Sequence, residues 1–165
     1  INFDYNKYLE RKDKLLDTVA KIGEKIDITD YALLSAETVV AYNHSNGKVG
    51  VLVAMNKKGE AVETVGKDVT MQIAAMSPIA IDKNDVPEEV KTREMEIGRE
   101  QARAEGKPEE KKKKIATGKL EAYFKDATLL NQKFVKDNSK SIRDVLTAVD
   151  KDLTVTAFKR IGLGA

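Results

Sequence analysis

The sequence predicts an α+β fold: a small three-stranded antiparallel sheet backed by helices, with an antiparallel helical hairpin inserted between core elements. Three observations predict it. Apolar residues alternate with period two around an Asn-Gly pair between residues 38 and 55, apolar stripes at three- and four-residue spacing flank that region, and from residue 85 to about 124 the chain is densely charged. The expected division is 1–84 for the first part of a core interaction subdomain, 85–126 for the inserted arm and 127–165 for the second part of the core.

The first helix is read in FDYNKYLERKDKLLDTVAKIG, where Tyr8, Leu15, Leu16, Val19 and Ile22 recur at roughly helical spacing and Gly23 offers a C-cap. Val40 and Tyr42, then Val49, Val51 and Val53, mark two strands on either side of Asn46-Gly47. Both turn residues tolerate the positive φ of a type I′ turn, so the strands should form an antiparallel hairpin. Val62, Val65, Val69, Ile73 and Met76 follow at helical spacing until Pro78 forbids continuation. This stripe is expected to pack on the sheet, and its methionine leaves a ligand groove as the alternative.

Asp85-Val86-Pro87-Glu88 reads as a helix start with Asp85 as the cap. The stretch AEGKPEE breaks that helix at Gly106 and restarts it near Pro108, giving two helices of about 20 residues and about 30 Å. Their apolar residues thin to Val86, Val90, Ile97, Ile115, Leu120 and a few alanines, too few for a core of their own, so a protruding arm is expected. Beyond it, Ile142, Val145, Leu146 and Val149 mark a helix that a Ser141/Asp144 capping box opens. LTVTAFKRI alternates again, with Leu153, Val155 and Ala157 on one side and Thr154, Thr156 and Phe158 on the other, and gives the third strand.

Composition excludes several functions. Lys+Arg 29 against Asp+Glu 27 leaves a net charge of +2 in 165 residues, far from the basic surplus of a nucleic-acid binder, so no direct nucleic-acid contact is expected. Lys111 to Lys114 stand beside Glu109 and Glu110 without interleaved aromatics, as a solvated helix face does. The absence of cysteine excludes thiolate chemistry and accords with a cytoplasmic location; no apolar run is long enough to cross a bilayer, so no membrane partner is expected. A phosphate loop at Gly66-Lys67 fails, because Ala61 replaces its first glycine and Asp68 its hydroxyl residue. With one histidine, His44, and carboxylates that have basic neighbours at helical spacing, residue pattern alone describes an interaction module rather than an enzyme.

Seven stretches carry a more specific signal: VAKIGEKIDI, YNHSNGKVGVLVAM, GKDVTMQIAAMSP, DVPEEV, AEGKPEE, GKLEAYFKDATLLNQKFVKD and LTVTAFKRIGLG. In that order, from about Thr18 to Gly164, the chain resembles the core of bacterial elongation factor Ts, the guanine-nucleotide exchange partner of elongation factor Tu. The resemblance implies a coiled-coil arm, elongation factor Tu as partner, and GDP, GTP and magnesium held by that partner, with no cofactor on this chain. Family members carry a histidine just before the hairpin turn that meets the partner's nucleotide domain, which makes His44, with Tyr42, Asn43, Asn46 and Gly47, the expected contact group. Without the resemblance, His44 reads as a turn residue whose ring caps a nearby carbonyl.

Longer members also carry an N-terminal helical module and a Thr-Asp-Phe wedge. Thr29-Asp30-Tyr31 imitates the wedge, but it leads into the first strand and is not assigned that role. The chain starts at Ile1 and is expected to be a C-terminal fragment of a full-length factor with reduced activity. An exposed strand edge would permit a homodimer. The rival reading is an RNA- or ribosome-associated adapter that uses the arm and its lysines.

Overall fold

The period-two run folds as β1 (Thr38–His44) and β2 (Val49–Met55), antiparallel, with Thr38 opposite Met55 and His44 opposite Val49. The computed structural model describes residues 5–44 and 47–163. Gly47 has φ +86, as the second position of a type I′ turn requires, while Asn46 lies outside the described residues. The last strand, β5 (Val155–Gly162), pairs antiparallel with β2, so the three-stranded sheet has the order β1-β2-β5.

One face of this sheet is the core. Val51, Val53 and Met55 of β2 are buried there, with Val40 beside them on β1. Helix α2 (Glu60–Met76) lies against this face, burying Val62, Val65, Val69 and Ile73. Gly66 makes the contact close, since a Cβ there would stand 2.7 Å from Val40 Cγ2 and 3.2 Å from Met55 Sδ. The helix ends at Ser77, whose left-handed φ of 46 turns the chain before Pro78. Gly66 and Lys67 therefore sit inside a helix. Met76 does not reach the core and is 46% exposed.

The alternation expected in the last strand is corrected by a bulge. Pairing shifts between Ala54 and Met55, so Thr156 is an extra residue in β5. Val155 and Phe158 then both face the core, instead of lying on opposite sides. Thr156 donates its hydroxyl to Ala54 O at 3.3 Å.

Helix α1 (Tyr5–Ile22) ends at Gly23, whose N–H bonds Val19 O at 2.8 Å with φ +77. It buries no residue fully. Its ties run through the stretch that follows: Arg11 lies 5.6 Å from the centre of the Tyr31 ring, and Tyr8 meets that ring edge-on at 6.3 Å. Asp30 pairs with Lys159 of β5 at 3.2 Å. The imitation wedge thus holds α1 and its linker to the sheet.

The charged region forms α3 (Glu88–Ala104) and α4 (Glu109–Ala127), which pack on each other, with Gly106 at φ +66 between them. Their seam is built from small residues rather than from Ile97 and Ile115. Gly98, Ala102 and Ala116 are buried, and a Cβ on Gly98 would stand 2.8 Å from Ala116 Cα. The cap expected at Asp85 is displaced by one step: Pro87 precedes α3 without a side-chain cap, and Asp85 instead completes a capping box with Asp82 around a short 3-10 turn. At the root, Ala80, Val86 and Phe124 form a second small cluster.

The returning chain brings in elements that the apolar pattern does not announce, β3 (Lys133–Phe134) and β4 (Asp137–Ser141), a two-stranded hairpin. Its end caps α5 (Ile142–Val149): Ser141 Oγ accepts from Asp144 N, and Asp144 Oδ2 accepts from Ser141 N at 2.8 Å, as the sequence predicts. Ile142 and Leu146 close the core, while Val149 is 39% exposed.

Two polar clasps fasten this return. Gln72 of α2 is fully buried; its amide donates to Gln132 Oε1 at 3.2 Å and Lys133 O at 3.1 Å, and its oxygen accepts from Val135 N at 2.9 Å. Gln132 in turn donates to Asp126 O at 2.8 Å. Outside them, Asp82 accepts from Asn131 at 2.8 Å and from Arg143 at 2.6 Å. Burial pushes the Asp82 carboxyl up, but the hydrogen bonds from Asn131, Arg143 and the Lys83 N–H outweigh it and hold the group below the ordinary carboxylate range.

Backbone bonds Ile79 N to Ala127 O and Leu129 N to Ala80 O, both 2.9 Å, bring the two ends of the arm together. Replacing residues 85 to about 124 by a short Gly/Ser linker is therefore expected to leave a single cooperative thermal transition, because closing a short loop there costs little entropy. A calorimetric scan without such a transition would show the arm to be part of the core.

Candidate partner-binding site

Strand alternation puts Tyr42 and His44 on the core side of β1 and Asn43 on the opposite side. Tyr42 packs its ring against the edge of the core, and His44, one step further, is exposed. The Tyr42 hydroxyl and His44 Nδ1 are hydrogen-bonded at 2.9 Å, with ring centres 5.8 Å apart. The His44 ring therefore bonds a side chain rather than capping a carbonyl. Tyr42 is a post: its rooted ring and hydroxyl hold the imidazole at Nδ1.

Gly50 stands opposite Asn43, where a Cβ would lie 3.7 Å from Asn43 Oδ1. The structure thus gathers Tyr42, Asn43, His44 and Gly47 at one end of the sheet, while the expected role of Asn46 falls outside the described residues.

Sequence reading missed Arg160. It lies opposite Val51, which lies opposite Tyr42, so the three residues form one row across the sheet. Unbroken alternation from Val155 would turn Arg160 away from the core face; the Thr156 bulge turns it back. Its Nε is buried without a hydrogen-bond partner. An unpaired buried donor of this kind costs about 1–3 kcal/mol. Gly162 stands opposite Val49 in the next row.

No group of three or more metal-ligating side chains occurs among the described residues. No described helix is long and apolar enough to cross a membrane. In the lysine run, Lys112 is bonded to Glu109 at 2.6 Å and holds its carboxyl below the usual range.

The family model described as Elongation factor TS matches residues 2–165. This chain belongs to the elongation factor Ts family. A protein of Cytophaga hutchinsonii named elongation factor Ts is 56% identical over 153 residues, covering 92% of this chain and 55% of that protein. Proteins of the same name from Amoebophilus asiaticus and Christiangramia forsetii are 48% and 42% identical, over 93% and 98% of this chain and 56% and 58% of their own lengths. The chain thus spans little more than half the length of these elongation factor Ts relatives.

The Tyr42–His44 bond is open to direct test. Tyr42→Phe keeps the ring in the core and removes only the hydroxyl, so the melting temperature is expected to stay close to that of the unaltered chain while the ring-nitrogen chemical shifts of His44 move. Unmoved shifts would show that the hydroxyl does not orient the imidazole.

Proposed function

We propose that this chain works in translation elongation, in the cytoplasm, as part of a guanine-nucleotide exchange factor that binds elongation factor Tu and promotes GDP release. The carrying observation is the family match over residues 2–165, which takes in the Tyr42–His44 hairpin end and the arm alike. In this reading the chain is no enzyme in the bond-making sense. Exchange follows from linkage: a protein that binds the nucleotide-free partner more tightly than the nucleotide-bound one weakens nucleotide binding by the same ratio. GDP, GTP and magnesium then belong to the partner, and this chain supplies only contacts.

Those contacts are assigned to the hairpin end of the sheet, where a bonded imidazole and the Arg160 guanidinium lie on one face and the Asn43 amide on the other. Placement on strands rather than on a long loop lowers the ordering entropy that binding must overcome. Asn46 and Gly47 at the turn complete the proposed group.

His44→Ala is expected to weaken binding to nucleotide-free elongation factor Tu roughly five- to thirtyfold, about 1–2 kcal/mol, without lowering the melting temperature, because the side chain is exposed. Calorimetric titration of both chains gives the answer. Unchanged affinity would remove His44 from the interface, and no binding by the unaltered chain would remove the reading itself.

A further inference from the structure

Between the ends of α2 and α4 and the β3–β4 hairpin the surface sinks into a cleft of about 680 Å³, a volume within the range of ligand sites. Its apolar lining is Met76 and Val135, which are 46% and 44% exposed. Met76 ends the α2 stripe one turn beyond Ile73, where the helix has run past the core. A flexible thioether in such a place adapts to whatever covers it.

Charge surrounds this apolar patch unevenly. Five cations line the cleft, Lys83, Lys125, Lys133, Lys140 and Arg143, against one carboxylate, Asp126. Three of the five have partners: Lys83 pairs with Glu121, Lys140 with Asp137 at 3.2 Å and Arg143 with Asp82 at 2.6 Å. The ammonium groups of Lys125 and Lys133 hold no ion pair among the described residues, and both side chains are exposed.

We infer that this cleft docks an acidic peptide segment of a partner protein, with an apolar residue among its carboxylates. The apolar residue covers Met76 and Val135, the carboxylates pair with Lys125 and Lys133, and Asn138 and Ser139 on the hairpin offer hydrogen bonds to an extended backbone. Nucleic acid fits less well. No aromatic side chain lines the cleft to stack a base. The cleft shares no residue with the hairpin end, so the inference stands apart from the exchange-factor reading.

The test uses the whole chain and a fluorescein-labelled nonapeptide of three Asp-Glu-Leu repeats, followed by fluorescence anisotropy. Saturable binding is expected, weakened at least about fivefold by Lys125→Glu/Lys133→Glu and about threefold by Met76→Ser, both at exposed positions where circular dichroism should show an intact fold. Four results would overturn the inference: no saturable binding; equal binding of a Lys-Lys-Leu repeat peptide; unchanged affinity in both variants; or tighter binding of tripolyphosphate or a short single-stranded RNA that displaces the peptide.

Discussion

Gln72 and Gln132 are fully buried side chains from segments 60 residues apart, and their amides meet in the interior of the fold. The constraint is geometric as well as energetic. A charged arm inserted into a small core leaves the chain to find its way back, and hydrophobic contact alone is too undirected to fix where. The Gln72 amide reads three backbone-linked positions at once, Gln132, Lys133 and Val135, and so sets the register of the returning segment against α2. The Gln72–Gln132 bond is buried and the two backbone bonds are partly buried, so a slipped return would leave the amides unpaired in the interior at about 1–3 kcal/mol apiece. From this fixed point the β3–β4 hairpin, the capped α5 and finally β5 follow in order, and β5 completes the sheet whose other end carries His44.

The arm follows a different principle. Its helices approach at Gly98 and Ala116 closely enough that a Cβ on Gly98 would collide with the facing backbone. Small residues allow that approach, and flanking ion pairs such as Lys112 with Glu109 keep its surface solvated. Such a structure holds itself straight while burying little apolar surface. It joins the core through backbone hydrogen bonds at its root, the Gln132 amide on Asp126 O and a cluster of three buried side chains.

Where periodicity was strong, the sequence was a reliable guide: the hairpin around residue 47, the α2 stripe, the Ser141/Asp144 cap and the two arm helices all stand where the pattern puts them. The misses share a cause, since periodicity reads apolar side chains and the missed features are polar or irregular. The Gln72 and Gln132 clasp looks like surface in a linear reading, because glutamines are buried only when their amides are satisfied by partners far along the chain. The Thr156 bulge inserts one residue and reverses the facing of everything after it, which moved Phe158 inward and hid Arg160 from view. Met76 continues a helical stripe on paper, yet the helix outruns the core beneath it. At the hairpin end, His44 was legible as the chain's one histidine beside a turn, whereas its Tyr42 post depends on two rings meeting across one step of a strand.

The clasp is the claim on which this account depends, and Gln72→Leu addresses it most directly. Leucine is of similar size and more apolar, so a fold held by hydrophobic packing alone would keep or gain stability. If the clasp sets the return of the chain, urea titration should show a loss of about 1–3 kcal/mol, because the buried Gln132 Oε1 and the partly buried Val135 N–H and Lys133 O lose their partner. A midpoint equal to or above that of the unaltered chain, at unchanged slope, would contradict it.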